Sequence, residues 1–278
     1  MSTHIESVAV AAARRGPFRS GVLHLSDAAA ETCLRRASKG ADELDLLVNA
    51  GIYRDKNLAE PAFAAIIQED IGANLGHPPK KAHHGTFSFD VNEGGSGVLA
   101  AAEIIDGFVG AGSARLGMVV AGDTDPNRRA PAGVHFATVG GAMLLSHADD
   151  GDGFQRFEFH TFPDGQGLFT SRLEWEPHGG FLGRGRNVVD IHEEPLFTAR
   201  AVERAGAVTR GFLQRVALEP DDVDLLIASP YPERFALDLV LAVGLHQDTL
   251  PPVPPRLRRA HTAGPLAALA AAIDSGAF

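Results

Sequence analysis

The chain has 278 residues, 45% hydrophobic and 22% charged, a balance that suits one large core or two fused ones and excludes a fibrous or disordered protein. Its formal charge of -10, with no basic run denser than Arg256-Leu257-Arg258-Arg259, argues against nucleic acid or an anionic membrane as partner. One cysteine, Cys33, permits no intrachain disulfide; with no long apolar run and no leader pattern in Met1–Ser7, a cytoplasmic location is expected.

In chain order, Val8-Ala9-Val10-Ala11 reads as a strand and Asp27 to Ala37 as an amphipathic helix. A strand follows in Ala41-Asp42-Glu43-Leu44-Asp45-Leu46-Leu47-Val48, then a helix over Glu60 to Leu75. Residues 89–110 read as strand, turn and buried helix. Ser96 to Ile104 is so rich in Ala and Gly that other backbone must pack close on several sides of it. Strands at Leu116–Ala121 and Gly141–Leu145 close an N-terminal half, 1–150.

After a connecting segment, 151–198, the pattern repeats over 199–278. Ala199 to Val216 reads as a helix. Pro220-Asp221-Asp222-Val223-Asp224-Leu225-Leu226-Ile227 echoes the earlier strand with its acidic lead-in, and Glu233 to Leu245 echoes the second helix. Ala263 to Ala271 matches the small-residue helix, down to an acidic-glycine stop at Asp274-Ser275-Gly276. Counterparts of the two closing strands would begin at about Phe278, so the second sheet reads as incomplete: either the chain is a truncated form, or the sheet edge is covered by something else.

Phe89-Asp90-Val91-Asn92-Glu93-Gly94-Gly95-Ser96-Gly97 resembles the active-site turn of ketoacyl-acyl-carrier-protein synthase III, in the thiolase superfamily. Phe136-Ala137-Thr138-Val139-Gly140-Gly141-Ala142, His160 with Asp164-Gly165, and most of the second half carry the likeness further. The resemblance implies an α/β thiolase fold, a duplicated five-layer αβαβα architecture, of which the repeat leaves the last two strands of the second half unaccounted for. It also implies a two-fold dimer through the strand before the buried helix, and acyl transfer from CoA or carrier protein by a Cys, a His and an Asn.

All three catalytic positions depart from that pattern. Gly95 stands where the family keeps its cysteine, at a helix N-terminus whose dipole and free N–H groups would favour a thiolate and a developing oxyanion. Tyr231 takes the histidine place and His261 the asparagine place. A phenol titrating near ~10 is a poor base at neutral pH, whereas His261 suits a base, a donor to a carbonyl oxygen, or a polar lining residue. Cys33 matches no catalytic position. Ser96 belongs to the turn and points elsewhere, while Glu93 suits either a cap on the helix start or a base toward a bound acyl group. Gly94, Gly95 and Ser96 are the expected substrate-contacting turn.

No histidine pair has metal-ligand spacing: His83 and His84 are adjacent, and His135, His160, His178 and His192 are scattered, so no metal is expected. No permanently bound cofactor is expected either; CoA or acyl carrier protein thioesters are the possible substrates. Arg14, Arg15 and Arg19 are candidate phosphate contacts in the short loop after the first strand. Three functions remain open. One is a non-condensing partner subunit, as homodimer or as heterodimer with a cysteine-containing homologue in fatty-acid or polyketide-type biosynthesis. Another is a non-covalent acyltransferase, thioesterase or decarboxylase working through Glu93 and His261. The third is an acyl-thioester binding protein.

Overall fold

The computed structural model describes residues 2–13, 21–55, 60–76, 85–126, 134–148, 152–177 and 185–278. Arg14, Arg15, Arg19, His83, His84 and His178 lie outside the described residues.

A five-stranded mixed sheet organises the first half, in the order β1 (Ser2–Ala12), β5 (Val139–Ala148), β4 (Leu116–Asp123), β2 (Leu46–Asn49), β3 (Phe87–Asp90). β2 runs parallel to both β3 and β4, whereas β5 is antiparallel to β4 and to β1. Because strand side chains alternate between faces, the sheet builds two cores. Leu47, Met118, Val120 and Leu144 face α1 (Val22–Arg36) and α2 (Phe63–Asp70). Leu46, Val48, Val119 and Leu145 face α3 (Gly97–Gly110) and α6 (Gly264–Ser275). All four residues of β2 are buried, as a continuous apolar strand covered on both faces must be.

Of the two small-residue helices, α6 is enclosed on all sides over Leu266 to Ala272, as its composition predicts, whereas α3 is buried on one face only and leaves Leu99, Glu103 and Phe108 exposed. A Cβ on Gly117 of β4 would stand 2.4 Å from Ile105 of α3, so the helix lies on the sheet at a distance only glycine allows.

Several boundaries move. α1 begins at Val22, five residues before the expected start, and α2 is shorter than the expected 60–75. The helices expected at 199–216 and 233–245 are α4 (Phe197–Arg215) and α5 (Phe235–Val243). The connecting segment contains a hairpin that the sequence pattern did not reveal, β6 (Phe169–Glu176) paired with β7 (Arg186–Glu193). Most β6 side chains are exposed, so nothing in its pattern announces that strand; β7 alternates, with Val189 and Ile191 buried and Asp190 and His192 exposed, a signal too short to have been picked out.

The larger correction concerns 223–227. This stretch is extended but belongs to neither sheet; the Leu226 N–H donates to the Thr249 carbonyl at 2.9 Å instead of joining a ladder. An apolar run becomes a strand only when neighbouring backbone is there to pair with it, and none of the described strands lies alongside.

One acidic group in this half is poised to make stability depend on pH. Asp27, on α1, is half-buried, and burial, then Asp70 and Glu31, push its carboxyl up to about 7. The native state therefore holds this proton over a range in which the unfolded chain has lost it, so stability should fall as pH rises from about 4 to about 7. A shift of about three units corresponds to about 4 kcal/mol unscreened; for a half-buried group solvent leaves roughly 1–2 kcal/mol. Asp27→Asn is expected to unfold at higher urea than the parent at pH 8 and to flatten this dependence. An unchanged midpoint–pH curve would show that the carboxyl is not strained.

Candidate functional site

The turn after β3 is a single 3-10 turn, Gly94–Ser96, leading into α3. Gly94 has φ +57, a left-handed conformation that favours glycine. Gly95 needs no such freedom, and a Cβ built on it meets nothing within 4 Å. The position is open, and what it lacks is a reactive atom.

Gly94, Gly95 and Ser96 line a cavity of about 870 Å³. Its walls are mostly apolar, with Leu266 and Leu269 from α6, Phe235 and Leu239 from α5, and Ala201 and Ala205 from α4. His261 and Tyr231 also reach it, so the structure brings Gly95, Tyr231 and His261 to one cavity.

His261 is held from behind. Asp123, fully buried at the end of β4, accepts from the His261 N–H at 2.8 Å, the Thr262 N–H at 3.0 Å, the Ala263 N–H at 3.0 Å and the Thr262 hydroxyl at 2.6 Å. A carboxylate here satisfies the free N–H groups at the start of α6 and opposes its dipole. The imidazole packs among aromatic rings, with centroids 4.8 Å from Phe136, 5.3 Å from Tyr53, 5.5 Å from Tyr231 and 5.8 Å from Phe169. Burial in this box lowers the His261 pKa, against the opposing pull of Asp123 and Glu193. The neutral ring keeps a buried Nδ1 without a hydrogen-bond partner in the structure.

Tyr231 donates its phenolic proton to Glu193 of β7 at 2.5 Å. Burial, and then that carboxylate, raise its pKa above the ordinary phenol value, which suits a hydrogen-bond donor and not a base. Tyr53 is similarly pushed up, to about 12, chiefly by burial. Asp123, Glu193 and Tyr53 carry no motif of their own, and Phe136, which opens the stretch at 136–142, had no site role assigned; only the packing of β4, β7 and the segments after β2 and before β5 around His261 singles them out.

The remaining candidates stand outside this chemistry. Glu93 is exposed, and its carboxylate makes no cap hydrogen bond to the turn that follows, so the cap role considered for it is not realised. The Ser96 hydroxyl donates to the Glu93 carbonyl at 2.9 Å. Cys33 is buried on the opposite face of the sheet from α3, close to Ser7, and burial raises its thiol to about 11. No group of three or more His, Cys, Asp or Glu among the described residues is arranged to hold a metal, and no described helix is long and apolar enough to cross a membrane.

The search for matching family models returned none. Among curated proteins, the chain is similar to the beta-ketoacyl-[acyl-carrier-protein] synthase III of Aquifex aeolicus, 23% identical over 219 residues that cover 77% of this chain and 62% of that relative. Among solved structures, the 3-oxoacyl-(acyl carrier protein) synthase III of Pseudomonas aeruginosa superposes with a TM-score of 0.77 at 16% identity, covering 100% of this chain and 91% of that one. A Xanthomonas campestris OleA structure with bound lauric acid and lauroyl-CoA gives a TM-score of 0.70 at 14% identity, covering 100% and 92%. The chain thus has the thiolase fold, a mixed α/β architecture around a central sheet. Its sequence is similar to those of beta-ketoacyl-[acyl-carrier-protein] synthase III, the family that the turn at 89–97 resembles.

Proposed function

We propose that this chain is a non-condensing subunit of the synthase III type, which keeps the acyl-sized cavity and the pairing edge of the fold but forms no acyl-enzyme. The observation that carries the reading is Gly95: at the tip of α3, facing the cavity, it offers no nucleophile, and the chain's one thiol is buried on the far side of the sheet. Acyl-CoA or acyl carrier protein thioesters are the ligands this reading implies, and the lauroyl-CoA held by the OleA structure is of that chemical class. Turnover through Glu93 and His261 has less support, because Glu93 is exposed and the phenol of Tyr231 is held protonated.

The partner edge is β3. It lies at the end of the sheet, paired only to β2, and carries Phe87, 57% exposed, with Phe89 and Phe108 packed around it at ring distances of 5.1 and 6.4 Å. An apolar edge strand left open is an aggregation hazard, so a second thiolase-fold chain meeting it across a two-fold axis is the natural cover. That second chain is a cysteine-bearing homologue in our reading, and a copy of this chain otherwise. Co-expression with such a homologue, followed by native mass spectrometry, should give a one-to-one complex. Phe87→Asp should weaken it by at least about 10-fold, since a carboxylate buried in an apolar interface costs several kcal/mol. A monodisperse monomer in both preparations would end this reading.

A further inference from the structure

The 870 Å³ cavity has a smaller neighbour, of about 520 Å³, with the opposite chemistry. Arg54, Glu60, Asp90 and Asn92 line the smaller space, whereas the walls of the larger one are mostly aliphatic and aromatic. Ile52, Tyr53 and Ser171 border both, so these three residues form the partition between a polar chamber and an apolar one. Within it the side chains of Tyr53 and Ser171 are hydrogen-bonded to each other, and Tyr53 is only 3% exposed.

The polar wall is fixed by its own contacts. Asp90 accepts from Arg54 at 2.6 Å, from the Asn49 amide at 3.1 Å and from the Phe63 and Ala64 N–H groups, both at 2.8 Å. Arg54 is 7% exposed and lies over the Phe63 ring, 5.2 Å from its centroid. The charges of Arg54 and Asp90 offset each other, and Glu60 adds a further negative one. Such a chamber repels a carboxylate and suits a neutral hydrogen-bonding group.

The two chambers meet beside the turn that leads into α3. Asn92 borders the polar one, while Gly94, Gly95 and Ser96, just after it in the chain, border the apolar one. Tyr53 stands with its ring centroid 5.3 Å from that of His261. An acyl chain with its carbonyl at Gly95 and its tail in the apolar space therefore passes the partition at its first carbons, not at its far end.

We propose that this chain selects acyl groups bearing a neutral polar substituent close to the carbonyl, the simplest being a 3-hydroxyl, which the Tyr53–Ser171 partition and the polar chamber behind it receive. This rests on the acyl-thioester reading above and adds a substrate class to it. The sign of the effect separates the two. In an apolar tunnel alone, burying an unpaired hydroxyl weakens binding, whereas a hydroxyl met by Tyr53 and Ser171 strengthens it.

The test is calorimetric titration of the intact chain with dodecanoyl-CoA, 3-hydroxydodecanoyl-CoA and 12-hydroxydodecanoyl-CoA. The 3-hydroxy thioester should bind at least about 5-fold more tightly than the plain one, and the 12-hydroxy thioester no more tightly than it. Tyr53→Phe and Ser171→Ala, each checked for folding by its urea midpoint, should bring the ratio of the first two affinities to about one or below. The proposal is overturned if the plain thioester binds as tightly as the 3-hydroxy one, if the 12-hydroxyl gives the same gain, or if both variants keep the preference. In those cases dodecanoyl-CoA still binds and the acyl-thioester reading stands; binding of none of the three overturns both.

Discussion

A Gly95→Cys variant is expected to take up one acyl group from an acyl-CoA, seen as a single mass increment in the intact protein, where the parent chain takes up none. The position accepts the change: a Cβ there meets no atom within 4 Å, and of the two adjacent glycines only Gly94 has a positive φ. The new thiol would stand at the start of α3, whose dipole and free N–H groups favour the thiolate. Cys33 offers no competition, since its thiol is buried and raised to about 11. On thiolate fraction alone, a cysteine titrating near ~8.5 should be alkylated about 10²-fold faster than Cys33 at pH 7.5. Adduct formation would support Gly95 as the position facing a bound acyl thioester. A folded variant that stays unacylated, or an adduct already present on the parent chain, would remove the basis of the non-condensing reading.

Replacement of Asp123 should have the largest effect on stability. Its carboxylate holds the backbone N–H groups of His261, Thr262 and Ala263 and the Thr262 hydroxyl, linking the end of β4 to the start of α6. Asp123→Ala strands these donors at a helix terminus enclosed in the core, and leaving buried polar groups unpaired is expected to cost about 3–5 kcal/mol in urea denaturation. It should also release His261 from its aromatic box, visible as a shifted imidazole resonance. By contrast, Arg204→Ala breaks a pair with Asp164, whose side chain is 77% exposed, and should cost under about 1 kcal/mol. Equal costs for the two variants would contradict the view that Asp123 fastens the second half to the first.

The two cores were legible in the sequence to different depths. Leu46 to Val48, Leu116 to Ala121 and the Ala-rich segment of α6 are apolar along their whole length, and such runs have little option but burial on all sides; the segment of α3, interrupted by Glu103, buries one face only. Their repetition, with acidic lead-ins at 41–43 and 220–222, exposed the duplication without any structural information. The hairpin β6–β7 was not legible, because the side chains of β6 mostly face water and the alternation in β7 spans only Val189 to His192. Of the residues that line the cavity, Gly95, Tyr231 and His261 were singled out by their places beside recognisable turns. Asp123 and Glu193 were not, since each acts on a residue dozens of positions away.

The amino-acid order alone determined which segments must be buried, that one half echoes the other, and that no thiol stands in the turn before α3; these follow from local composition and spacing. Tertiary structure decided which apolar runs became strands. Leu46 to Asn49 found β3 and β4 on either side and closed its hydrogen bonds, whereas Leu225 to Ala228, nearly the same residues, lies beside open space and forms no ladder. A strand is a property of a pair, and its partner is supplied by the fold.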